Sequence, residues 1–244
     1  INPPWQTRTD YDLFGSLAGE FPAGAVKIAE SAVLTPAALG YLIWLQATGA
    51  MIILGLYFLY QARHRIFQVA LKNAEHREWS KPGAWNDPDY IQIGHIGSAH
   101  GMGQPRPCPL TPNEQYSYVS LWSLLAAPLF FGGDMTKLDD FTLSLLTNDE
   151  VIEVNQDVLG KQGRRVWKDG TSEVWAKPLE DGSLAVGLFN RGEAEVRIAA
   201  NWTALGIQGK HKVRDLWRQR DLGAFDGKFE AAVGRHGVVL IRVR

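Results

Sequence analysis

A change in sequence pattern near residues 157–160 divides this chain into two parts. Over residues 65–156, helical patterns alternate with short apolar segments, which is typical of a parallel sheet covered by helices. After residue 160, short runs of alternating apolar and polar residues are separated by Asp-Gly and Arg-Gly turn signals. This pattern predicts an antiparallel β domain, a small sandwich. We therefore predict an α/β domain over 1–157 and an antiparallel β domain over 158–244.

Composition and cysteine usage exclude several classes of protein. The 244 residues carry a net charge of −1 and no basic stripe, so we expect no nucleic-acid partner. Cys108 is the only cysteine, which rules out a disulfide within the chain and any CxxC zinc motif. His95 and His100 share a loop without a third ligand of the right type, so we expect neither a metal site nor a cofactor.

The strongest candidate for a functional site is the stretch 81–94. It holds a Pro-Gly turn signal followed by a short apolar run, which indicates a brief strand. Pro88 has no N–H for a sheet ladder, which puts Asp87 and Asp89 at the strand margin. With Trp85, these carboxylates would offer a sugar an apolar platform and hydrogen-bond acceptors. A strand-edge turn with solvated acids is the alternative interpretation of the same residues.

A well-marked helix should precede a second strand. Thr111 and Glu114 form a capping box with a proline at the first helical position, so a helix begins there. It should present one apolar face to the core and end before Pro128. The wholly apolar segment 128–132 then indicates a buried strand, with Asp134 just past its end. Two further helical patterns complete this half of the chain, at about 139–147 and 149–156.

Several stretches of the chain resemble glycoside hydrolase family 27, which contains α-galactosidases and α-N-acetylgalactosaminidases. The resemblance covers most of residues 66–244 and implies a (β/α)₈ TIM barrel followed by an antiparallel β domain. Segment 89–93 would be the seventh barrel strand and 128–132 the eighth, so the chain would be the C-terminal part of a longer one. The matching stretches are PGAWNDPDYIQIG (82–94), LTPNEQYSYVSLWSLLAAPLFFGGDM (110–135), NDEVIEVNQDVLGKQG (148–163), EVWAKPLEDGSLAVGLFNR (173–191) and RDLW (214–217).

The resemblance also implies retaining hydrolysis by two aspartates. The nucleophile would lie upstream of residue 1, so we expect the chain alone to be inactive. The acid/base motif of the family fits the sequence after Thr7 as R-T-x-x-D-L, which makes Asp12 the acid/base and Arg8 its electrostatic partner. Counting from Trp5 instead selects Asp10, which is our second choice.

The same resemblance assigns the substrate-binding residues of the stretch 81–94. Asp89 would hold the sugar, Tyr90 would line the pocket beside it, and Trp85 would add an aromatic surface. Asp87 is expected to structure the turn. The substrate would be a terminal α-linked galactoside or oligosaccharide.

The apolar segment 37–60 does not match the family. Only Gln46 and Thr48 are clearly polar, and a helix over the whole segment would be about 36 Å long, enough to cross a bilayer. A true span would put Asp12 and Asp89 on opposite sides of the membrane, where they could not share an active site. We therefore favour an atypical insertion packed as an apolar helix over a buried barrel helix or a membrane span.

The sequence thus predicts the C-terminal portion of a retaining α-galactosidase. An α-N-acetylgalactosaminidase or a β-L-arabinopyranosidase is the alternative within the enzyme class, and a non-catalytic sugar-binding fragment or a membrane-anchored interaction protein the alternative outside it. By family the protein would be secreted or periplasmic, although residues 1–5 are no signal peptide. The sequence predicts no oligomeric state.

Overall fold

A computed structural model describes residues 44–52, 67–97 and 103–244. Residues 44–52 are helical, and within the described ranges no helix is long and apolar enough to span a membrane. The rest of the segment 37–60 lies outside these ranges, so its three interpretations stay predictions.

The first half of the described chain is mainly helical. Residues 67–75 form a helix that is followed by a 3₁₀ turn at Arg77–Trp79. A two-residue antiparallel ladder pairs β1 with β2 inside the segment that the sequence assigned wholly to a loop. The bounds are His95–Ile96 for β1, Arg106–Pro107 for β2, Pro112–Leu124 for α1, Asp140–Leu146 for α2 and Asp149–Gln156 for α3.

The two predicted barrel strands are reduced to a single parallel bridge between Ile91 and Phe131. The Ile91 N–H donates to the Phe130 carbonyl at 2.7 Å, and the Gly132 N–H donates to the Ile91 carbonyl at 2.9 Å. The next bond, from the Asp134 N–H, reaches the carbonyl of His95 at 2.7 Å, two residues further than a regular register requires. The prediction of continuous strands over 89–93 and 128–132 was therefore wrong, because the ladder changes register after one bridge.

The second half is an antiparallel β-sandwich, which confirms the predicted fold. Six strands form one sheet in the order β3-β4-β5-β10-β7-β8, and β6 pairs with β9 in a second layer. Both edge strands, β3 and β8, carry a register shift opposite their neighbours. The bounds are Arg164–Asp169 for β3, Ser172–Pro178 for β4, Leu184–Asn190 for β5, Val196–Asn201 for β6, Trp202–Leu205 for the short helix α4, Lys210–Asp215 for β7, Arg220–Asp226 for β8, Lys228–Val233 for β9 and Val238–Val243 for β10.

The six-stranded sheet is covered on both faces. Successive side chains of a strand point to opposite faces, and on β4 the side chain of Trp175 joins the core around α1 while that of Val174 joins the core under β6 and β9. On β10, Leu240 and Ile241 divide in the same way. The central strands therefore have no solvent-facing side, and the first half of the chain shares one core with the sandwich.

Helix α1 lies in that shared core. Ten of its thirteen residues are buried, so the predicted single apolar face was an underestimate: the helix is enclosed on almost all sides. The predicted capping box is confirmed, since the Thr111 N–H donates to Glu114 Oε2 at 2.7 Å and the Thr111 side chain accepts from the Glu114 N–H. Gly187 on β5 admits the helix closely, because a β-carbon there would lie 2.9 Å from Leu124 Cδ1.

Polar contacts also join the helices of the first half to the sandwich. His236, in the turn between β9 and β10, lies 2.8 Å from the buried Glu114 carboxylate of α1. On α3, Glu150 accepts from Arg214 of β7 at 2.6 Å, and Glu153 accepts from Arg242 of β10 at 3.1 Å. The two halves are thus held together by apolar packing and ion pairs. The domain boundary at 157/158 stays a prediction.

Lys177 on β4 is a buried amine. Its side chain is fully buried, and its Nζ has no hydrogen-bond partner among the described residues. Burial lowers the pKa of Lys177 to about 8, and the charge of Asp157 offsets part of this effect. Because the charged form is the one that burial penalises, Lys177 should destabilise the fold at neutral pH.

Replacing Lys177 with Met should stabilise the protein at pH 7 by on the order of 3 kcal/mol, because it removes the buried charge. The folded-state pKa lies below the ordinary value of 10.5, so between about pH 8 and 10.5 the unfolded chain binds more protons than the folded one. Wild-type stability should therefore rise across that range, and the advantage of Lys177→Met should shrink. Urea unfolding of both proteins at four pH values from 7 to about 10 measures the difference.

Lys168→Met is the matched control, because Lys168 lies exposed on the neighbouring strand β3. It should leave the free energy of unfolding almost unchanged at every pH. An advantage of Lys177→Met that stays constant from pH 7 to about 10 would show that folding does not lower the pKa of the amine, because the folded and unfolded chains would then bind the same number of protons.

Candidate functional site

The site predicted around Asp89 is built on a strained turn. The Asp87 carboxylate accepts the Asp89 N–H at 2.8 Å, which closes an Asx turn around the buried Pro88. Asp87 therefore structures the turn, as expected. Asp89 itself has φ +84°, in the left-handed region where a non-glycine residue costs on the order of 1–3 kcal/mol. Strain of this kind is concentrated at functional sites, provided that neighbouring structure holds it.

Two side chains of α1 hold the strained segment from the core side. The Trp122 indole N–H donates to the carbonyl of Asp89 at 3.0 Å, and the Tyr118 hydroxyl donates to the carbonyl of Tyr90 at 2.5 Å. The two rings pack edge to face with centroids 4.4 Å apart. Burial raises the pKa of Tyr118 well above its ordinary value, so its hydroxyl remains a donor throughout the neutral range.

The outer side of the same segment presents a carboxylate and two aromatic rings. The Tyr90 side chain is 51% exposed and Phe130 is 56% exposed, with the rings edge to face at 6.5 Å. Asp89 is also exposed, and its Oδ1 accepts the Tyr90 N–H at 2.8 Å. Exposed aromatic rings beside a fixed carboxylate suit a ligand with both apolar C–H surface and hydroxyl groups.

Trp85 is half exposed and packs toward a different neighbour. A β-carbon on Gly160 would lie 2.9 Å from the tip of the Trp85 ring and equally close to Pro82. Within the described part of the chain, no ring pair joins Trp85 to Tyr90 or Phe130. The structure thus brings Asp89 and Tyr90 together with Phe130, while the role of Trp85 at this site stays a prediction.

Polar groups past the parallel bridge form a second, smaller cluster. Asp134 accepts hydrogen bonds from the hydroxyl and the N–H of Thr136 at 2.6 and 2.9 Å, which hold the pKa of Asp134 below its ordinary value. Across residues 44–52, 67–97 and 103–244, no group of three or more His, Cys, Asp or Glu side chains could hold a metal ion. Three residues with predicted roles lie outside the described ranges, namely Arg8, Asp10 and Asp12, as does His100.

Sequence reasoning missed Tyr118, Trp122 and Phe130 as parts of this site. It assigned the first two to the apolar face of a helix and the third to a buried strand. The one available signal was the spacing of Tyr118 and Trp122, which puts two side chains with polar tips on the same helix face. Which backbone carbonyls they meet depends on tertiary packing and could not be read from that spacing.

Comparison with known proteins agrees with the resemblance found in the sequence. The profile of a family described as "Alpha galactosidase A" matches residues 60–157, and that of "Alpha galactosidase C-terminal beta sandwich domain" matches 169–243. Alpha-galactosidase 2 of Arabidopsis thaliana is 39% identical over 170 residues, covering 69% of this chain and 40% of the relative. An alpha-galactosidase of Cyamopsis tetragonoloba is 38% identical over 160 residues, covering 65% and 36%.

Solved structures give the same result for the fold. The GH27 β-L-arabinopyranosidase of Geobacillus stearothermophilus superimposes with a TM-score of 0.69 at 31% identity, covering 74% of this chain and 42% of that one. The chain therefore spans about two fifths of the length of the relatives that it matches. The predicted fold, the last part of a TIM barrel followed by a β-sandwich, is confirmed.

Two substitutions at Asp89 should separate backbone strain from the loss of the carboxylate. Both Asp89→Gly and Asp89→Ala remove the bond to the Tyr90 N–H, but only glycine adopts φ +84° freely. Asp89→Gly should therefore be more stable than Asp89→Ala by about 1 kcal/mol in chemical denaturation.

Ser144, exposed inside α2, provides the reversed control. There the alanine variant should be more stable than the glycine variant by about 1 kcal/mol, as in any helix interior. If the alanine variant were more stable than the glycine variant at both positions, Asp89 would not be held in the left-handed region in solution.

Proposed function

This chain belongs to glycoside hydrolase family 27, of which it carries a C-terminal portion, and we propose that it forms one wall of the active site of a retaining α-galactosidase. The observation that carries the proposal is the strained Asp89, whose carboxylate stands beside the exposed ring of Tyr90. A terminal galactose offers hydroxyl groups to the carboxylate and C–H groups to the ring. Asp89 and Tyr90 would bind this sugar, with Trp85 as a more distant aromatic surface.

The bond-breaking groups in this proposal are two other carboxylates. Asp12 acts as the acid/base, Asp10 is the second choice, and Arg8 is the electrostatic partner. In a retaining enzyme the acid/base and the nucleophile lie about 5–5.5 Å apart, and the nucleophile forms a covalent glycosyl intermediate. The family motif matches no residue of these 244 to the nucleophile, so we expect this polypeptide to bind the sugar without cleaving it.

The sugar itself has alternatives. The similarity to a β-L-arabinopyranosidase favours that activity as a second candidate, because L-arabinopyranose has the ring geometry of galactose without its hydroxymethyl group. An α-N-acetylgalactosaminidase is another candidate, and its substrate differs from galactose at the 2-position of the sugar. A non-catalytic sugar-binding fragment is the alternative outside the enzyme class. By its family, the protein is proposed to act outside the cytoplasm.

A binding and turnover assay with matched substrates tests the proposal. The 244-residue protein is titrated with galactose by NMR and incubated with the 4-nitrophenyl α-galactoside, α-N-acetylgalactosaminide and β-L-arabinopyranoside. We expect galactose binding without turnover. When the chain is joined to an N-terminal barrel half from an α-galactosidase of the family, we expect hydrolysis with retention of the anomeric configuration.

The Asp89→Asn variant should weaken galactose binding about 10- to 100-fold, the usual effect of losing a hydrogen bond to a charged group. Asp140→Asn, at the exposed start of α2, is the matched control and should bind normally. If Asp89→Asn and the wild type bound galactose with equal affinity, Asp89 would not be a sugar-binding residue. Binding without hydrolysis after the barrel half is supplied would favour the non-catalytic alternative.

Two substitutions in the joined enzyme distinguish the acid/base candidates. Asp12→Asn should lower kcat for an α-galactosyl disaccharide about 10²- to 10⁴-fold, because an alkoxide leaving group needs general-acid assistance. Asp10→Asn should leave kcat within a few-fold of wild type. Steady-state kinetics measure kcat for both variants. A large loss of kcat in Asp10→Asn but not in Asp12→Asn would identify Asp10 as the acid/base.

A further inference from the structure

We propose that Tyr118 and Trp122 are positioning residues of the sugar site, which hold Asp89 in its left-handed conformation and thereby aim its carboxylate. The part of this proposal that concerns sugar binding rests on the proposed function; the part that concerns the backbone does not. Neither side chain reaches the exposed surface itself, since Tyr118 is 7% and Trp122 is 1% exposed. They would act on the sugar only through the segment that they hold.

The conformation of Asp89 needs external support. A left-handed aspartate is less favourable than an extended one, so it persists only when other interactions hold it. The Asp87 carboxylate holds the N–H of Asp89, but an Asx turn alone leaves its carbonyl free to rotate. Trp122 Nε1 holds that carbonyl, and Tyr118 Oη holds the following one. With both carbonyls bound, the peptide plane between Asp89 and Tyr90 cannot turn.

The two donor side chains, Tyr118 and Trp122, are held rigidly. Four residues apart on α1, they project from one face of the helix, and their rings pack against each other. The end of the helix is also held, because the side-chain amide of the buried Asn155 on α3 donates to the carbonyl of Trp122 at 3.4 Å and to that of Ala127, just past the helix, at 2.8 Å. Because the donors are fixed on a rigid helix, their hydrogen bonds determine where the carbonyls of Asp89 and Tyr90 lie.

The left-handed conformation of Asp89 leaves one of its carboxylate oxygens available to a ligand. Oδ1 of Asp89 is occupied by the Tyr90 N–H, which fixes the orientation of the carboxylate. Oδ2 has no hydrogen-bond partner in the part of the chain that the structure describes, and the residue is exposed. One oxygen thus anchors the group while the other remains available to a sugar hydroxyl.

The experiment removes one N–H while keeping the ring. Trp122 is replaced by β-(3-benzothienyl)alanine, in which sulfur takes the place of the indole N–H, in the full 244-residue protein. Two quantities are measured by NMR: the three-bond HN–Hα coupling and ¹³Cα shift of Asp89, which report its φ, and the affinity for galactose. We expect the Asp89 signals to move toward values for extended backbone and galactose affinity to fall about 10-fold, with Tyr118→Phe acting in the same direction.

Two matched controls separate positioning from general destabilisation. Trp202 is equally buried, and its Nε1 donates to the Phe225 carbonyl at 3.3 Å within the sandwich core. The same benzothienyl replacement there, and Tyr116→Phe on α1, should leave the Asp89 signals and galactose affinity unchanged even if the melting temperature falls.

The outcomes keep the two proposals apart. Unchanged Asp89 signals in both the Trp122 and Tyr118 variants would overturn the positioning role, whatever happens to binding. Shifted signals with galactose affinity equal to wild type would overturn the link to the sugar. If Asp89→Asn also bound galactose normally, the proposed function would fail, while shifted signals in the Trp122 variant would still support the backbone role.

Discussion

Helix α1 is buried on almost every side, and both the sandwich and the segment of Asp89 pack against it. An unpaired polar side chain on a buried helix costs stability, so the available hydrogen-bond partners restrict how the helix can lie. Ser120 accepts from the Trp217 indole at 2.8 Å, and the Ser117 hydroxyl donates to the His236 carbonyl at 2.8 Å. One side of the helix is therefore hydrogen-bonded to the sandwich. The other side carries the two donors that meet the segment of Asp89. The position of the sheet and the geometry of the candidate site are therefore set by the same thirteen residues.

The six-stranded sheet is covered on both faces, so charged side chains on its central strands are buried and need partners within the protein. Glu173 on β4 is fully buried, and its carboxylate accepts from Arg191 at 2.8 Å and from the Trp175 indole at 2.9 Å. Removing one member of such a set leaves an uncompensated charge, whereas the set as a whole adds little net stability. The same carboxylate also accepts from Arg165 of β3 at 3.3 Å, so it links β4 to its neighbour in the sheet. Lys177 on the same strand lacks such a partner among the described residues, which distinguishes it from Glu173.

The sequence was informative wherever local chemistry decides the structure. The capping box at Thr111 begins a helix, Asp-Gly turns separate antiparallel strands, and an Asp-Pro pair forms an Asx turn, because in each case the partners are at most a few residues apart. It failed where distant residues decide. The apolar run after Pro128 has a strand-like composition, but the register change past Ile91 limits it to one bridge. Likewise, no local pattern could show that Tyr118 and Trp122 meet the carbonyls of Asp89 and Tyr90, some thirty residues earlier.

The enclosure of α1 also has a consequence for the order of events during synthesis. The last strand that covers the helix, β10, leaves the ribosome more than a hundred residues after α1 does. At translation rates of about 5–20 residues per second, the helix waits for several seconds or longer with its apolar sides uncovered. Contacts so distant in sequence also form slowly, because a long loop must close first. Chaperone capture of nascent chains is thus to be sought in this interval, after Leu124 has emerged and before Val238 has.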